Sequence, residues 1–350
     1  MTGKGLRTGW TTGTCASAAA KAAATWLVAG APPETVEVGL PNGDRVSFPV
    51  ADADQPYRCA VVKDAGDDPD VTHGAHLTAE VEWGDGARTE LRRGPGVGVI
   101  TLPGLGLPVG APAINPVPAR MIRRAVAEVT DRPLVVTIST PGGEEMAAKT
   151  SNARLGIVGG ISILGTTGVV RPFSTASWRA SVVQQVDVAA AQGQRHVVLS
   201  TGGRTDAAAQ RLLPHLPPVC FVEVGDFTGV ALRRAAAAGV ERVTFVGMAG
   251  KITKLAAGVL MTHYRRSQVD QALLAEVAVG SGAPPEVVAA ATATATARHF
   301  AETCMATGFL DPLAEVSRRA AAACRAHVRG ALAVDVVLVD FEGDEVLARG

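Results

Sequence analysis

The first part of the chain alternates apolar and polar residues in short runs, which is the pattern of half-exposed β-strands. Before these runs, residues 12–28 form an alanine-rich stretch that predicts a helix. A Pro-Asn-Gly turn at 41–43 joins the runs 36–40 and 45–50 and predicts a hairpin. The section up to residue 174 is therefore predicted to be strand-rich and mostly antiparallel.

A second hairpin is predicted where the run 77–83 passes through a Gly-Asp-Gly turn into the run 87–93. The segment 103–118 is too rich in proline and glycine for regular structure, and it leads into a predicted helix from about 118 to 129. Three other runs of this section are predicted strands: 57–63, 96–102 and 134–140.

From about residue 175 the pattern changes, because apolar runs now alternate with helical segments. The predicted strands are 196–203, 220–226 and 243–251, followed by helical sequence to about 328 and a closing apolar run at 333–341. Such alternation favours a parallel sheet. We therefore expect a strand-rich α+β domain at 1–174 and a Rossmann-like α/β domain at 175–350, with C-terminal helices and a closing strand.

Composition narrows the function classes. The 350 residues carry 33 basic and 33 acidic side chains, so no net charge draws the chain to nucleic acid. No run of 18 apolar residues predicts a membrane span. Five cysteines without a CxxC pair argue against a disulfide framework and a zinc site. We expect a cytoplasmic protein that binds neither nucleic acid nor membrane, and a homo-oligomer is a possible assembly.

Three predicted strand ends of the second domain run into glycine and then into a helix. Ligands of open parallel sheets bind at such ends, where helix N-termini present free N–H groups. An acidic residue lies about 20 positions after the first glycine pair, as in folds that bind ribose. The candidate cofactor-binding residues are Gly202, Gly203, Glu223, Asp226, Gly247 and Lys251. An ordinary strand-to-helix turn has the same appearance, so a purely structural role stays open. Phe245 stands where a phosphate loop needs glycine, which disfavours ATP hydrolysis.

The segment 63–74 is dense in carboxylates. It carries Asp64, Asp67, Asp68, Asp70 and His73. Such a loop can hold a hard cation or act as acid and base. It can equally be a solvated turn whose carboxylates cap their own backbone.

Hydroxyl groups cluster at the start of the first predicted helix. Thr11 and Thr12 lie where a helix N-terminus and side-chain hydroxyls together can bind a carboxylate. Cys15 follows them and is interpreted as a small buried residue rather than a nucleophile.

Long, uncommon blocks of this sequence resemble one known family. The blocks 7–23, 59–75, 94–122 and 150–174 look like the signature blocks of the CbiD family, the cobalt-precorrin-5B C(1)-methyltransferases of cobalamin biosynthesis. The later blocks 197–206, 222–229 and 245–258 are similar to the same family, so the resemblance covers nearly the whole chain. The chain departs from the family pattern at 264–271, after Thr262 and His263.

The resemblance implies transfer of a methyl group from S-adenosylmethionine to carbon 1 of cobalt-precorrin-5B, giving cobalt-precorrin-6A. The cobalt then belongs to the substrate, and no metal site of the protein is expected. The substrate's many carboxylates call for arginine, lysine and backbone N–H groups. The candidates within the signature blocks are Arg7, Thr11, Thr12, Lys63, Asn152, Arg154 and Arg171. Asp64, Asp67, Asp68 and His73 become the candidate catalytic residues, as polar contacts to the ring nitrogens or as acid and base.

Two other functions stay open on the residues alone. An NAD(P)-dependent reductase of corrin precursors would also need a glycine-rich crevice and a carboxylate for ribose. A non-catalytic carrier of the corrin intermediate would need only the substrate-binding residues.

Overall fold

The computed structural model describes residues 5–262, 270–293 and 296–350. The departure from the family pattern after Thr262 falls mostly on 263–269, outside the described residues. The chain divides into two compact units, Met1–Thr175 and Ala176–Gly350. No helix of the described ranges is long and apolar enough to cross a membrane.

The first unit is built mainly from short strands. Its strands are β1 (Gly9–Trp10), β2 (Thr35–Gly39), β3 (Arg45–Pro49), β4 (Asp52–Gln55), β5 (Arg58–Val62), β6 (His76–Trp83), β7 (Glu90–Arg93), β8 (Gly96–Val97), β9 (Val99–Ile100), β10 (Leu134–Ser139), β11 (Ile157–Val158), β12 (Gly160–Ile161) and β13 (Val169–Val170). Its helices are α1 (Thr12–Ala29), α2 (Pro116–Ala127) and α3 (Gly143–Ala147).

The helix predicted at 12–28 is confirmed as α1. Thr11 caps its first turn, since the Thr11 hydroxyl accepts the N–H of Thr14 at 3.2 Å, and Gly30 ends it with φ 85°. The run from Thr12 to Ala20 is buried without interruption. Because most of these side chains are small, α2, β5 and β6 can approach α1 closely.

The hairpin predicted at 36–50 is confirmed, with β2 and β3 antiparallel. The second predicted hairpin is wrong. The main sheet of this unit has the order β4-β5-β6-β10-β7, so β10 lies between β6 and β7. β10 pairs antiparallel with β6 and parallel with β7. Its residues Leu134 to Val136 are buried, and burial of both faces explains why this apolar run takes the inner position.

The strand predicted at 96–102 is divided in two. β8 pairs parallel with β12, whereas β9 pairs antiparallel with β11. Gly96, with φ 76°, allows this arrangement, because a Cβ there would collide with the carbonyl of Thr140. Gly96 thus allows two backbone segments of the first unit to approach closely.

The second unit alternates strands and helices, as predicted. Its strands are β14 (His196–Ser200), β15 (Phe221–Glu223), β16 (Arg242–Met248), β17 (Ala333–Val339) and β18 (Val346–Arg349). Its helices are α4 (Thr175–Ala191), α5 (Gly203–Leu212), α6 (Thr228–Ala237), α7 (Ala249–Ala256), α8 (Gln271–Gly280), α9 (Pro285–Ala293), α10 (Ala297–Thr307) and α11 (Asp311–His327), with a 3₁₀ turn at Pro218–Cys220.

The sheet of the second unit has the order β15-β14-β16-β17-β18. The first four strands are parallel, and β18, which was not predicted, pairs antiparallel with β17. Val197 and Leu199 belong to one buried cluster and Val198 to another, so β14 is covered on both faces. β15 pairs with one edge of β14, and β16, which follows β15 in the chain, pairs with the other edge. A topological switch point therefore lies beside β14.

Candidate functional site

Three of the family-like blocks meet in the first unit. β1 pairs with β13, with Gly9 opposite Val170, and the N–H of Trp10 donates to the carbonyl of Asp64 at 2.7 Å. The segments 7–10, 63–68 and 168–173 therefore lie side by side. Residues far apart in the sequence are brought into one surface, which we call the converged surface.

Arg7 and Asp64 form the central ion pair of the converged surface. The guanidinium donates to both carboxylate oxygens, and the Asp64 carboxylate also accepts the N–H of Gly66 at 2.9 Å. The hydrogen bond from Arg7, followed by that from Gly66, lowers the pKa of Asp64 to about 2. Asp64 is thus ionised at neutral pH, where it has no proton to donate.

The other candidate catalytic side chains of this loop hold backbone groups. The Asp67 carboxylate accepts the N–H of Arg7 at 2.6 Å, and the Asp68 carboxylate accepts the N–H of Phe173 at 2.9 Å. Nδ1 of His73 accepts the N–H of Ala65 at 3.1 Å. These contacts stabilise the converged surface, and a catalytic role for the same groups stays a prediction.

Lys63 lies beneath this loop rather than on it. Its side chain is 1% exposed, and its Nζ lies 2.7 Å from Oδ2 of Asp70. Burial acts to raise the pKa of Asp70, but the hydrogen bond and charge of Lys63 outweigh it, so that this pKa is lowered. Lys63 was predicted to bind substrate, and in this arrangement it neutralises Asp70 instead.

The predicted threonines are also inside the protein. Thr11 and Thr12 are buried, and the hydroxyl of Thr12 donates to the carbonyl of Ser162 at 3.1 Å and accepts the N–H of Leu164 at 2.8 Å. Cys15 is fully buried, and burial raises its pKa to about 12, which confirms its interpretation as a core residue.

The remaining predicted substrate-binding residues differ in exposure. Nδ2 of Asn152 donates to the carbonyl of Gly160 at 3.1 Å, which fixes the glycine-rich loop. Arg154 is half-buried, whereas Arg171 is exposed beside β13. Of the predicted cations, Arg7 and Arg171 therefore lie on the converged surface with access to solvent.

A cavity of about 640 Å³ lies in the second unit, at the carboxyl ends of the parallel strands. Its lining includes Thr201, which directly follows β14, and Met248 and Val339, which are the last residues of β16 and β17. Open parallel sheets bind their ligands at this edge. The sequence predicted a crevice at these strand ends, and the cavity lies there.

A polar network forms one wall of the cavity. Oδ1 of Asp226 lies 3.2 Å from Nζ of Lys251 and accepts the hydroxyl of Thr262 at 3.1 Å. Nζ of Lys254 donates to the carbonyl of Thr262 at 3.1 Å. Burial, partly offset by the charge of Asp226, lowers the pKa of Lys254. Two lysines and one aspartate thus face a largely apolar cavity.

Another part of the lining is built around an aromatic ring. The guanidinium of Arg298 lies 3.5 Å from the centre of the Phe341 ring, and that of Arg204 lies 4.5 Å from it. Arg298 also donates to Glu302 at 2.6 Å. Such contacts between a cation and an aromatic face hold side chains in place at a partly exposed site.

The structure separates the six candidate cofactor-binding residues. Asp226 and Lys251 line the cavity. Gly202 and Gly203 lie beside it at the start of α5, and Glu223 ends the neighbouring strand β15, but among the described residues these three are not part of its lining. Gly247 is buried, where a Cβ would lie 2.6 Å from the Phe245 ring, so its role is in packing.

Sequence reasoning missed several lining residues, among them Lys254, Thr262, Arg298 and Phe341. Lys254 follows Lys251 by three positions, a spacing that places both on one helix face. That signal was present in the sequence. Phe341 ends the predicted closing strand, which is a sequence signal as well, whereas Thr262 and Arg298 come from segments that only the tertiary structure brings to the strand ends.

Comparisons with known proteins cover most of the chain. A family model described as CbiD matches residues 1–172, and one described as CbiD, C-terminal domain, matches residues 261–350. The chain is 61% identical to the cobalt-precorrin-5B C(1)-methyltransferase of Salinispora tropica, covering 97% of this chain and 91% of that protein. It is 50% identical to the protein of the same description in Thermus thermophilus, covering 99% and 94%. A crystal structure of a cobalamin biosynthesis protein (cbiD) from Archaeoglobus fulgidus shares 30% identity, covers 75% of this chain and 83% of that one, and gives a TM-score of 0.43.

Proposed function

This chain belongs to the CbiD family, and we propose on that premise that it methylates carbon 1 of cobalt-precorrin-5B to give cobalt-precorrin-6A. The observation that carries the proposal is the 61% identity over 97% of the chain, which includes both compact units. The match also covers 91% of that relative, whose name states this activity. The proposal therefore concerns the complete reaction and not one binding step.

S-adenosylmethionine is the proposed methyl donor, and the cavity of the second unit is its proposed site. A volume of about 640 Å³ is in the range of small-molecule sites. Asp226 supplies an acceptor for ribose hydroxyls, as acidic residues do in nucleotide-binding sheets. Lys251 and Lys254 supply positive charge for the carboxylate of the donor.

The proposed acceptor site is the converged surface of the first unit. The substrate is a polyanion, and exposed guanidinium groups suit its carboxylates because they can donate two parallel hydrogen bonds. Arg171 is such a group, and Arg7 keeps exposed N–H groups besides those that it donates to Asp64. Asp64, Asp67 and Asp68 act in this proposal mainly by holding these segments in position.

The chemistry needs positioning more than reactive side chains. Methyl transfer from a sulfonium is an in-line displacement in which the ring carbon attacks and the thioether leaves unprotonated. Holding the two reactants in line can supply about 7 to 11 kcal/mol of the barrier. No nucleophile of the protein is required, and the buried thiol of Cys15, with a pKa of about 12, agrees with that.

Mass spectrometry tests the proposal directly. Cobalt-precorrin-5B, prepared anaerobically, is incubated with the protein and S-adenosylmethionine, and the product is expected to gain one methyl group. Donor labelled with deuterium in its methyl group shows where that group came from. A product that changes only with NAD(P)H would instead identify a reductase, and tight corrin binding without any mass gain would identify a carrier.

A further inference from the structure

Phe173 has an unusual combination of backbone conformation and exposure. Its φ is 54°, a left-handed value that side chains with a Cβ rarely adopt. The residue is nonetheless 67% exposed, more than any other large hydrophobic residue among those described. A strained backbone persists only where the surrounding structure imposes it, and the exposed Phe173 has few buried contacts of its own.

The conformation is imposed by its neighbours. Pro172 precedes Phe173 in a turn, the order found in type II turns, where glycine is favoured at the position of positive φ. The Asp68 carboxylate accepts the N–H of Phe173 at 2.9 Å from a loop 105 positions away. The chain therefore holds a phenyl ring in solvent at a position that glycine would occupy without strain.

The surroundings indicate what the ring contacts. Asp67 and Asp68 are consecutive, and they hold the backbone N–H groups of Arg7 and Phe173 respectively. The phenyl ring therefore belongs to the same converged surface as the exposed guanidinium groups of Arg7 and Arg171. A surface that carries both an exposed apolar ring and exposed guanidinium groups is complementary to a flat ligand with carboxylates at its edge.

We propose that Phe173 packs against the face of the tetrapyrrole macrocycle while Arg171 binds one of its peripheral carboxylates. The inference rests on the proposed function and adds a contact residue to it. Strain at Phe173 is then the cost of presenting the ring before the substrate arrives. Asp68 is a positioning residue in this scheme, since it acts through the backbone of Phe173.

The substitution Phe173→Gly separates this role from a structural one. Glycine relieves the backbone strain and removes the ring, so the melting temperature should rise while affinity for cobalt-precorrin-5B falls by about tenfold. Affinity is measured by anaerobic absorbance titration, and binding of S-adenosylmethionine by calorimetry should not change. If Phe173 served only the fold, Phe173→Gly would lower the melting temperature and leave corrin affinity unaltered.

Tyr57 provides a matched control. It is an aromatic residue of the same unit with φ 62° and 40% exposure, and it lies near Trp26 rather than on the converged surface. Tyr57→Gly should leave corrin affinity unchanged. Phe173→Leu keeps an apolar side chain but loses the flat ring, and it should weaken corrin binding without the change in melting temperature.

Two results would overturn the inference while the proposed function stands. One is methyl transfer by the unaltered chain together with Phe173→Gly and Phe173→Leu variants that bind the corrin as tightly as the unaltered chain does. The other is a change in molecular mass by light scattering in both variants with corrin affinity retained, since the ring would then contact a second copy. Failure of the unaltered chain to bind or methylate the corrin would instead reject the proposed function, and this inference with it.

Discussion

Arg7 and Asp64 are joined by two hydrogen bonds between a guanidinium and a carboxylate that lie 57 positions apart in the sequence. This pair fastens the start of the chain to the aspartate-rich loop. The N–H of Trp10 on the carbonyl of Asp64 extends the attachment to β1. The loop is therefore part of the first unit's architecture, whatever else it does.

Acid should loosen this attachment. The folded state lowers the pKa of Asp64 from 3.8 to about 2, so the ionised carboxylate stabilises the fold above the unfolded value. That contribution is lost as the pH falls from about 4 to about 2. Hydrogen exchange of the Trp10 amide should accelerate in this window beyond its normal pH dependence. In Asp64→Asn the additional change should be absent, and an unchanged profile would contradict the assignment.

Single substitutions of the aspartates should slow turnover. Asp64→Asn, Asp67→Asn and Asp68→Asn are each expected to lower the rate by tenfold or more, about 1.4 kcal/mol, because each releases a segment of the converged surface. Methyl incorporation into the corrin under saturating donor measures this effect. Glu82→Gln, a 69% exposed residue on β6, is the control and should react at the normal rate. Normal rates in all three aspartate variants would reject a role for the loop.

The donor site predicts a distinct set of losses. Asp226→Asn and Lys251→Met should weaken S-adenosylmethionine binding by about tenfold or more, since each removes a charged contact. Gly203→Val is informative because a Cβ at Gly203 meets no other atom within 4 Å, so weaker binding would report contact with the ligand. Calorimetry measures all three.

Two further substitutions complete that test. Glu223→Gln should also weaken donor binding if the ribose lies near β15. Glu241→Gln alters a pair with Arg195 that is 66% exposed, and it should bind the donor normally. If the four variants at Asp226, Lys251, Gly203 and Glu223 all bind the donor as well as this control does, the donor lies elsewhere, with the glycine-rich stretch 156–168 as the next candidate.

The buried pair of Lys63 and Asp70 should matter for stability. Lys63→Met leaves a partly buried carboxylate without its cation and should cost about 2 to 4 kcal/mol of unfolding free energy. Asp70→Asn alone should also destabilise, because it leaves the Lys63 ammonium buried without a counter-charge. The double variant should recover part of the loss, which chemical denaturation and a double-mutant cycle would show. Additive losses would mean that the two side chains do not interact.

Local sequence was sufficient wherever an element depends on its own residues. The alanine run of α1 has high helix propensity, and the turn at 41–43 fixes its hairpin, so both were predicted. The Gly-Asp-Gly turn at 84–86 gave the same local signal as a hairpin turn. There the prediction failed, because a more apolar strand from 134–139 occupies the position between the two runs.

The candidate sites show the same division. Asp226 and Lys251 could be selected because they follow strand ends in sequence. Phe341 lies two positions after the end of β17 and could have been selected in the same way, whereas nothing in the segment of Arg298 relates it to those ends. Lys63 and Thr12 were selected as substrate-binding groups and are buried, because a side chain's burial depends on what packs over it.

The sequence by itself determined the two classes of structure, the order of most of their elements and the family, because propensity, periodicity and long motifs are properties of neighbouring residues. Only the tertiary structure decided which distant segments meet: Arg7 with Asp64, Asp68 with Phe173, and Lys251 with Asp226. The physical reason is that pairing, burial and ion-pair partners are set by the free energy of the whole packed chain. No local run of residues contains that information.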